Sequence, residues 1–530
     1  MIWIILAAVL AALMWYIFVK PLHYWSDRGV KQSKPWVFFG DSWVTIFRRQ
    51  SFSEFVQWVY NMHPTSRYSG FYQFYTPTLV LRDPELIKQI TVKDFDHFTD
   101  HRSFVDPDAD PLWGRNLFSL KGQKWREMRA TLSGSFTGSK MKTMFNLMNE
   151  AADNFVQYFL DKNEDLIELE MKDTYTRYTN DVIATTAFGI KVDSLTQPEN
   201  TFYMMGKKMT NFSGILTSLK FFGYFLIPSL YKKLKISILD KSASEFFRTI
   251  INETIHTREE QGIVRPDMIN MLLEARKGIK QDDNDTAQDN QDTGFATAQE
   301  SHDITKFRQL KNLTNDDITS QALIFFFAGF DTISTAMCFG SYELAVNKDI
   351  QDRLRDEIRT TYEENNGKIT YEVLLKMKYM DMVVSEILRK WPPAVAADRV
   401  CTKKYVIEPK NSNEKPLEIP LNGIVWIPTQ GIHRDPQYYH NPDKFDPERF
   451  SDENRDSIKP YTYIPFGVGQ RICIGSRFAL LEVKILLFKI LLSFEIIPTK
   501  KTNIPLKISR SSFNNTAEGG FWFGMKKIKS

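Results

Sequence analysis

One thiol, Cys473, lies on a turn that opens at Phe466, carries Gly469 and Arg471, and closes at Gly475 just ahead of an apolar run. Sulfur ligates iron well only as the thiolate, and an ordinary cysteine, with a pKa of about 8.5, is mostly protonated at neutral pH. The local sequence favours the anion. Phe478, Leu480, Leu481, Val483, Ile485, Leu486, Leu487 and Phe488 recur with helical spacing, so a helix N-terminus and its unpaired amide donors are expected beside the sulfur. Gly469 and Gly475 suit a positive φ or the close approach of a flat ring to the backbone. Arg471, two residues before the thiol, is within reach of a carboxylate on such a ring. A lone cysteine in apolar surroundings would read as core; the residues around Cys473 argue for a metal ligand instead.

A second segment with chemical content is Ala328-Gly329-Phe330-Asp331-Thr332, inside a long apolar helical stretch. Its small residues open a groove. Thr332 lies four residues after Ala328, so its hydroxyl can return to that carbonyl, which tends to bend a helix and leaves a polar site. Asp331 is a charge in an apolar run, costly unless it has a partner or a task.

The spacing Phe-x-x-Gly-x-Arg-x-Cys-x-Gly resembles the proximal-ligand signature of the cytochrome P450 superfamily, and the resemblance extends over nearly the whole chain. It implies a haem b, iron protoporphyrin, ligated by Cys473 and contacted by Phe466, Gly469, Gly475, Ala328 and Gly329. In thiolate-ligated haem the sulfur pushes electron density toward O–O cleavage. The resemblance assigns Thr332 to hydrogen-bond dioxygen during its reduction and Asp331 to gate proton delivery through water. Many relatives carry a second hydroxyl directly after this threonine, whereas here Ile333 intervenes before Ser334. Buried propionates need cations with donor geometry. Trp125 and Arg129, four apart on one helix face, match the family's propionate-contacting positions together with Arg399 and Arg471. Glu386 and Arg389, completed by Arg449, match its buried structural ion pair.

The positions that match the family's substrate contacts are apolar: Phe104, Leu112, Trp113, Phe325, Ala328, Val395, Ala396 and Phe513. Such a lining favours lipophilic molecules and excludes few of them. The runs Asn116–Leu120 and Lys140–Phe145 are similar to insect microsomal members grouped with the vertebrate drug-metabolising enzymes. That implies detoxification of plant toxins and insecticides by hydroxylation, epoxidation or dealkylation. A dedicated role on a hormone or fatty acid stays open. So do a haem-thiolate isomerase or dehydratase, although such relatives tend to lose the Asp–Thr pair, and a non-catalytic haem sensor, which would not need it.

No glycine-rich dinucleotide fingerprint follows a strand, so NADPH electrons are expected through a separate reductase, with cytochrome b5 a further donor. Lys121, Lys124, Arg126, Lys140 and Lys142, with Lys484 and Lys489, are expected to form a basic surface for such a partner.

These residues need a large scaffold. Long periodic segments, Met141–Leu160, Ser242–Arg258 and Asp316–Val346, are flanked by short β-prone runs such as Thr78–Leu81 and Val406–Glu408. The expected fold is mainly α with a small β region, one haem-binding catalytic domain over 41–530 behind a membrane anchor at 1–20 and a linker at 21–40. Ile2–Val19 is uncharged and just long enough to cross a bilayer. Arg28, Lys31 and Lys34 follow it, which leaves the large domain on the cytosolic side of the endoplasmic reticulum. The proline-rich hinge usual in microsomal relatives is reduced here to Pro35. A net charge of +4 with mixed signs gives no reason to expect nucleic acid. Cys338, Cys401 and Cys473 form no even framework, so no structural disulfide is expected. The stretch from Gln281 to Asp303, acidic and without a basic residue, is expected as a solvated loop. The aromatic stretch Asn211–Leu234 matches the family's membrane-dipping roof over the substrate entrance.

Overall fold

A computed structural model describes residues 1–103, 105, 107–211, 220, 223–224, 227–237, 239–265, 267–277, 295–296, 313–412, 414–512 and 514–528. Half of the aromatic stretch 211–234, Phe104, Phe513 and all of the expected acidic loop but Phe295 and Ala296 lie outside the described residues; those two are packed on the body and not solvated, the Phe295 N–H donating to Asp381 at 2.8 Å and Ala296 being buried.

The longer helices are α1 (Ile2–Met14), α2 (Phe52–Asn61), α3 (Gly122–Ser133), α4 (Gly138–Asp161), α5 (Met171–Ile183), α6 (Thr201–Thr210), α7 (Lys241–Gln261), α8 (Met268–Arg276), α9 (Asn315–Val346), α10 (Lys348–Glu364), α11 (Lys378–Lys390) and α12 (Ser476–Ser493). The strands are β1 (Tyr68–Gln73), β2 (Thr76–Leu81), β3 (Leu166–Glu170), β4 (Ala397–Val400), β5 (Tyr405–Ile407), β6 (Leu417–Ile419), β7 (Ile424–Ile427), β8 (Phe494–Pro498) and β9 (Trp522–Lys527). They form a four-stranded sheet in the order β1-β2-β7-β4, a three-stranded sheet β3-β9-β8 and the pair β5-β6. The mainly helical class with a small β region is as the periodicity predicts.

Helix α9 is the axis of the molecule. Thr314 caps it reciprocally with Asp317, satisfying donors that would otherwise be orphaned. Beyond its first turn it is apolar on nearly every side, as a helix enclosed by others must be. It packs against α5, α7, α11 and α12. Gly329 makes the α5 crossing possible: a Cβ there would stand 2.5 Å from Cδ1 of Ile183. Helix α12 is likewise buried all round and packs on α4 and α9, so the thiol-bearing turn is pressed against the core by the helix that follows it.

The N-terminal helical run Ile2–His23 is long and apolar enough to cross a membrane, with mean hydropathy 2.6 over an 18-residue window of which none is buried. Helix α9 also meets that test of length and composition, but 67% of its apolar window is buried, as befits a core helix. The base of the N-terminal run meets the body where the Phe18 ring lies 4.8 Å from Phe38. The residues read as a linker are packed on the sheet. Leu22, Trp25 and Val30 are buried with Tyr60, Tyr72 and Leu79, and Gly70 is where Trp25 lies on the strand.

Candidate haem and oxygen site

The Cys473 turn is closed by its own backbone, the Cys473 N–H donating to the Phe466 carbonyl at 2.9 Å. Gly467 and Gly469 take φ of +79° and +76°, which other residues rarely adopt. At Gly469 a side chain would also run into the Thr91 carbonyl, so that glycine serves the approach of two backbone segments, and it does not line the cavity. Gly475 has negative φ, caps α12 and does line the cavity. Cys473 thus sits three residues before the first residue of α12 and is accessible, whereas Cys338 and Cys401 are buried; none of the three is in a disulfide. Its accessible surface faces inward, onto a cavity of about 470 Å³.

Across that cavity stand Phe325, Ala328, Gly329, Thr332 and Ile333 of α9. Thr332 donates to the Ala328 carbonyl at 2.5 Å, the back-bond expected from the i, i+4 spacing, and α9 remains helical through it. Its hydroxyl proton therefore needs only a side-chain rotation to be redirected into the cavity. Asp331 does not line this cavity. It is turned toward α5, where Lys172 Nζ lies 2.8 Å from its carboxylate. The same ammonium donates to the Asp331 carbonyl at 2.9 Å, to Ser334 at 2.8 Å and to Thr335 at 2.7 Å. Ser334, the hydroxyl displaced by Ile333, therefore faces Lys172 and not the cavity.

One rim of the cavity is a cluster of guanidiniums. Arg129, on α3, donates to the Ile472 carbonyl at 2.9 Å. Arg399, on β4, is held in register opposite Val425 of β7. It donates to the carbonyls of Asp398 at 2.6 Å and Val468 at 3.3 Å, and its buried Nε has no protein acceptor among the described residues. Arg471 spends its fork on carbonyls of Thr99 at 2.8 Å and Leu120 at 2.7 Å, with its plane 4.0 Å over the Trp125 ring. Burial first, then the neighbouring Arg399 and Arg129, hold Arg471 well below the usual guanidinium range. Burial lowers Arg399 to about 10, only partly offset by Asp398.

Asp398 and Asp100 only partly offset the burial of Arg399 and Arg471. Buried guanidiniums of this kind are costly, and an anion at this edge would lower that cost. His101, which sequence reasoning missed, lines the same rim, stacked at 4.5 Å on Phe118 and 3.1 Å from Asp398. Burial keeps its pKa below the usual histidine value in spite of that carboxylate. The donor set fits a haem: a thiol on one face, a groove of small residues opposite, and cations with a spare buried donor at one edge. Among the described residues no group of three or more His, Cys, Asp and Glu is placed to hold a bare metal ion.

The remaining expected residues are distributed as follows. Phe466 and Ala396 line the main cavity with Phe325. Val395 borders a neighbouring cavity. Leu112 is in the core and Trp113 packs edge-on to Phe327 at 5.2 Å, neither reaching the cavity. Glu386 and Arg389 form a fully buried pair, with Nε to Oε2 at 2.6 Å and Nη2 to Oε1 at 2.9 Å. Arg449 stands 3.4 Å from the same carboxylate. The basic surface is thinner than expected. Lys484 is not on it at all: it is buried and ion-paired with Asp381 at 2.9 Å, because it faces inward on α12. Lys489 pairs with Asp153 at 2.6 Å, and Arg126 and Lys142 pair with Asp96 and Glu372. Lys121 and Lys124 are exposed.

Comparison with known proteins decides the family. Residues 31–522 match the family model described as Cytochrome P450. The chain belongs to the cytochrome P450 family. It is 47% identical over 521 residues to Cytochrome P450 9e2 of Blattella germanica, an alignment covering 95% of this chain and 94% of that protein. It is 43% identical over 527 residues to Probable cytochrome P450 9f2 of Drosophila melanogaster, covering 98% and 97%. Cytochrome P450 6k1 of Blattella germanica is 38% identical over 517 residues, covering 97% and 95%. Membership in this P450 family makes the chain a monooxygenase, an oxidoreductase whose family chemistry implies haem and dioxygen.

Proposed function

We propose that this P450 oxidises lipophilic foreign compounds, among them plant toxins and insecticides, by hydroxylation, epoxidation or dealkylation, with NADPH electrons supplied by a separate reductase. The observation that carries the site assignment is the inward-facing sulfur of Cys473 opposite the Ala328–Thr332 groove, with three buried arginines at one edge of the space between them. When bound there, haem supplies the activation of dioxygen, and the thiolate supplies the electron push. Cys473 is the ligand in this reading, and Phe466 and Gly475 leave room beside it. Trp125, Arg129, Arg399 and Arg471 hold the propionate edge, and His101 joins them. Thr332 holds and redirects a proton at Oγ1, and Asp331 supplies protons to it. Phe325, Ala328 and Ala396 exclude water from the substrate side and hold apolar molecules. Glu386, Arg389 and Arg449 fasten the segment from β7 to the Cys473 turn onto α11.

Support for the substrate class comes from the apolar cavity lining and from the likeness to insect P450s of the 9 and 6 groups. The exposed apolar run Ile2–His23 supports anchorage in the endoplasmic reticulum membrane with the catalytic body on the cytosolic side. Full-length protein, expressed with a haem precursor and reconstituted with an NADPH-dependent P450 reductase, tests the reading. NADPH consumption should rise with an insecticide or terpenoid substrate and yield an oxygenated product. Rearrangement of a hydroperoxide without NADPH would instead mark an isomerase. Haem binding without turnover of any lipophile in the panel would mark a carrier or sensor.

A further inference from the structure

Beside the main cavity lies a second one, of about 210 Å³, between the start of α2, the 393–396 loop, α9 and residues 508–515. We propose that it is a subsite for one neutral hydrogen-bonding group of the substrate, a hydroxyl or an amide, with Asn515 as its partner, and that it turns carboxylates away. The proposal rests on the monooxygenase reading above and narrows its substrate class to amphipathic lipophiles.

Two independent observations place a polar group there. The first is location. Thr332, Pro393, Ala394 and Ala396 line both cavities, so the two spaces adjoin across a border of small side chains. Cys473 and Phe325 line the main cavity and not the smaller one. A molecule lying across the border therefore keeps one end away from the sulfur and presents the other to the main cavity. The second is an unmet demand for hydrogen bonds. Asn515 is 8% exposed, and both its Nδ2 and its Oδ1 are buried without a partner among the described residues. An amide offers two donors and an acceptor with two lone pairs, and leaving them empty is costly. Ser512, also on the lining, accepts the Asn514 N–H at 3.1 Å, so its own O–H remains as a further donor. Water in such a space is displaced at little cost by a ligand group that reproduces its hydrogen bonds, whereas a hydrocarbon would leave Asn515 unpaired.

Charge decides which group fits. Among the described residues no Lys, Arg or His lines the subsite, while Asp331 does. Lys172 answers Asp331 from the α5 side at 2.8 Å, and Arg510 of the nearby segment is turned to Glu54 at 3.9 Å. An anionic head group would enter beside an aspartate with no cation facing it, so its burial is penalised. An ammonium would find Asp331 already paired. A hydroxyl or an amide carries both a donor and an acceptor, which matches what Asn515, Ser512 and Asp331 offer. Oxygenation then falls on the apolar end of the molecule and spares the polar one.

The test titrates the haem-loaded parent and Asn515→Leu with dodecane, dodecanol, dodecanamide and dodecanoate, following the Soret shift. The ratio of dodecanol to dodecane affinity, in which solvation in water cancels between the two proteins, should fall about tenfold in Asn515→Leu, as one or two lost hydrogen bonds require. Dodecanamide should behave like dodecanol, and dodecanoate should bind the parent more weakly than either. A crystal structure of the parent with dodecanamide should show the amide bonded to Asn515 and the methyl end in the main cavity. With reductase, products should carry oxygen in the methyl half of dodecanol in the parent and along the whole chain in Asn515→Leu. An amide seated in the main cavity, an affinity ratio unmoved by Asn515→Leu, or dodecanoate bound as tightly as dodecanol would each overturn the proposal. If Asn515→Leu fails to take up haem, Ser512→Leu fills the same space and decides by the same ratio, and the crystal structure of the parent needs no variant. A parent that sorts the four compounds as expected and oxygenates none of them would sink the functional reading and keep the subsite; one that oxygenates lipophiles without sorting them would sink the subsite alone.

Discussion

Replacing Glu386 by alanine is expected to cost the protein its haem, and the size of the effect follows from the contacts. The Glu386 and Arg389 side chains are both fully buried. Glu386 receives two charged hydrogen bonds from Arg389, a backbone one from Asp446 at 2.9 Å, and the Arg449 guanidinium at 3.4 Å. Arg389 reaches on to the carbonyls of His433 and Pro442, each at 2.8 Å. Removing the carboxylate leaves a buried cation compensated only by neutral carbonyls, and breaking one side of such a pair costs about 3–5 kcal/mol. Against a total stability of about 5–15 kcal/mol this shifts the folded-to-unfolded ratio by about two to four orders of magnitude. The loss falls where it matters, because Asp446, Pro442 and His433 lie in the segment that leads to the Cys473 turn. Urea unfolding followed by the Soret band should show a midpoint markedly below the parent's and a poor reduced carbon monoxide spectrum. The double variant Glu386→Leu with Arg389→Met should recover part of the stability, since it strands no charge. A soluble Glu386→Ala protein with the parent's midpoint and spectrum would refute the reasoning.

Four further outcomes are expected. Cys473→Ser should abolish the thiolate-type reduced carbon monoxide spectrum while leaving far-ultraviolet dichroism near the parent's; an unchanged spectrum would remove Cys473 as ligand. His433 is buried, accepts the Ile464 N–H at 2.8 Å and is pushed down to about 3, chiefly by burial and then by Arg389. The folded protein therefore holds it neutral while the unfolded chain protonates it, so stability is full above about pH 6.5 and falls by up to about 1.4 kcal/mol per pH unit toward pH 3; His433→Gln should flatten that limb of a denaturation-against-pH curve. Glu482, fully buried on α12 with neither carboxyl oxygen hydrogen-bonded among the described residues, is raised well above the carboxylate range by burial alone. It stays protonated in the fold while the unfolded chain ionises above about pH 4.3, which penalises folding increasingly as pH rises, so Glu482→Gln should raise the midpoint at pH 8 more than at pH 5. Finally, Gly329→Val should destabilise through its collision with Ile183, with partial rescue by Ile183→Ala; loss of haem with no change in stability would mean that Gly329 serves the cofactor alone.

The parts of the site legible in the sequence are those whose geometry is local. The Thr332 back-bond to Ala328 spans four residues of one helix, the Glu386–Arg389 pair spans three, and the Cys473 turn closes on itself within eight. Helical and strand periodicity likewise located the main elements, because burial on one face or on all faces leaves a trace in residue order. The stretch 21–40 has no long periodic run and so suggests a linker, yet Leu22, Trp25 and Val30 are buried on the sheet, with Gly70 leaving the gap in a distant strand that accepts the Trp25 ring. Lys484 was misplaced for a similar reason. In a helix buried on all sides periodicity does not assign a solvent face, and what tolerates this lysine is Asp381, 103 positions earlier.

The Lys172–Asp331 contact shows why such gaps fall on function. An aspartate inside an apolar helix signals a partner or a task, but the choice between them depends on what another element brings across the gap, here 159 residues away. Lys172 answers as both. It neutralises the charge, so Asp331 is tolerated in α9, and by fastening the Asp331 carbonyl and the hydroxyls of Ser334 and Thr335 it fixes which way the carboxylate points. That direction is away from the main cavity and toward a neighbouring, smaller cavity that Thr332 also lines. Where many relatives carry a second hydroxyl, Ile333 adds an apolar wall to the main cavity, while Ser334, one position later, joins the lysine anchor.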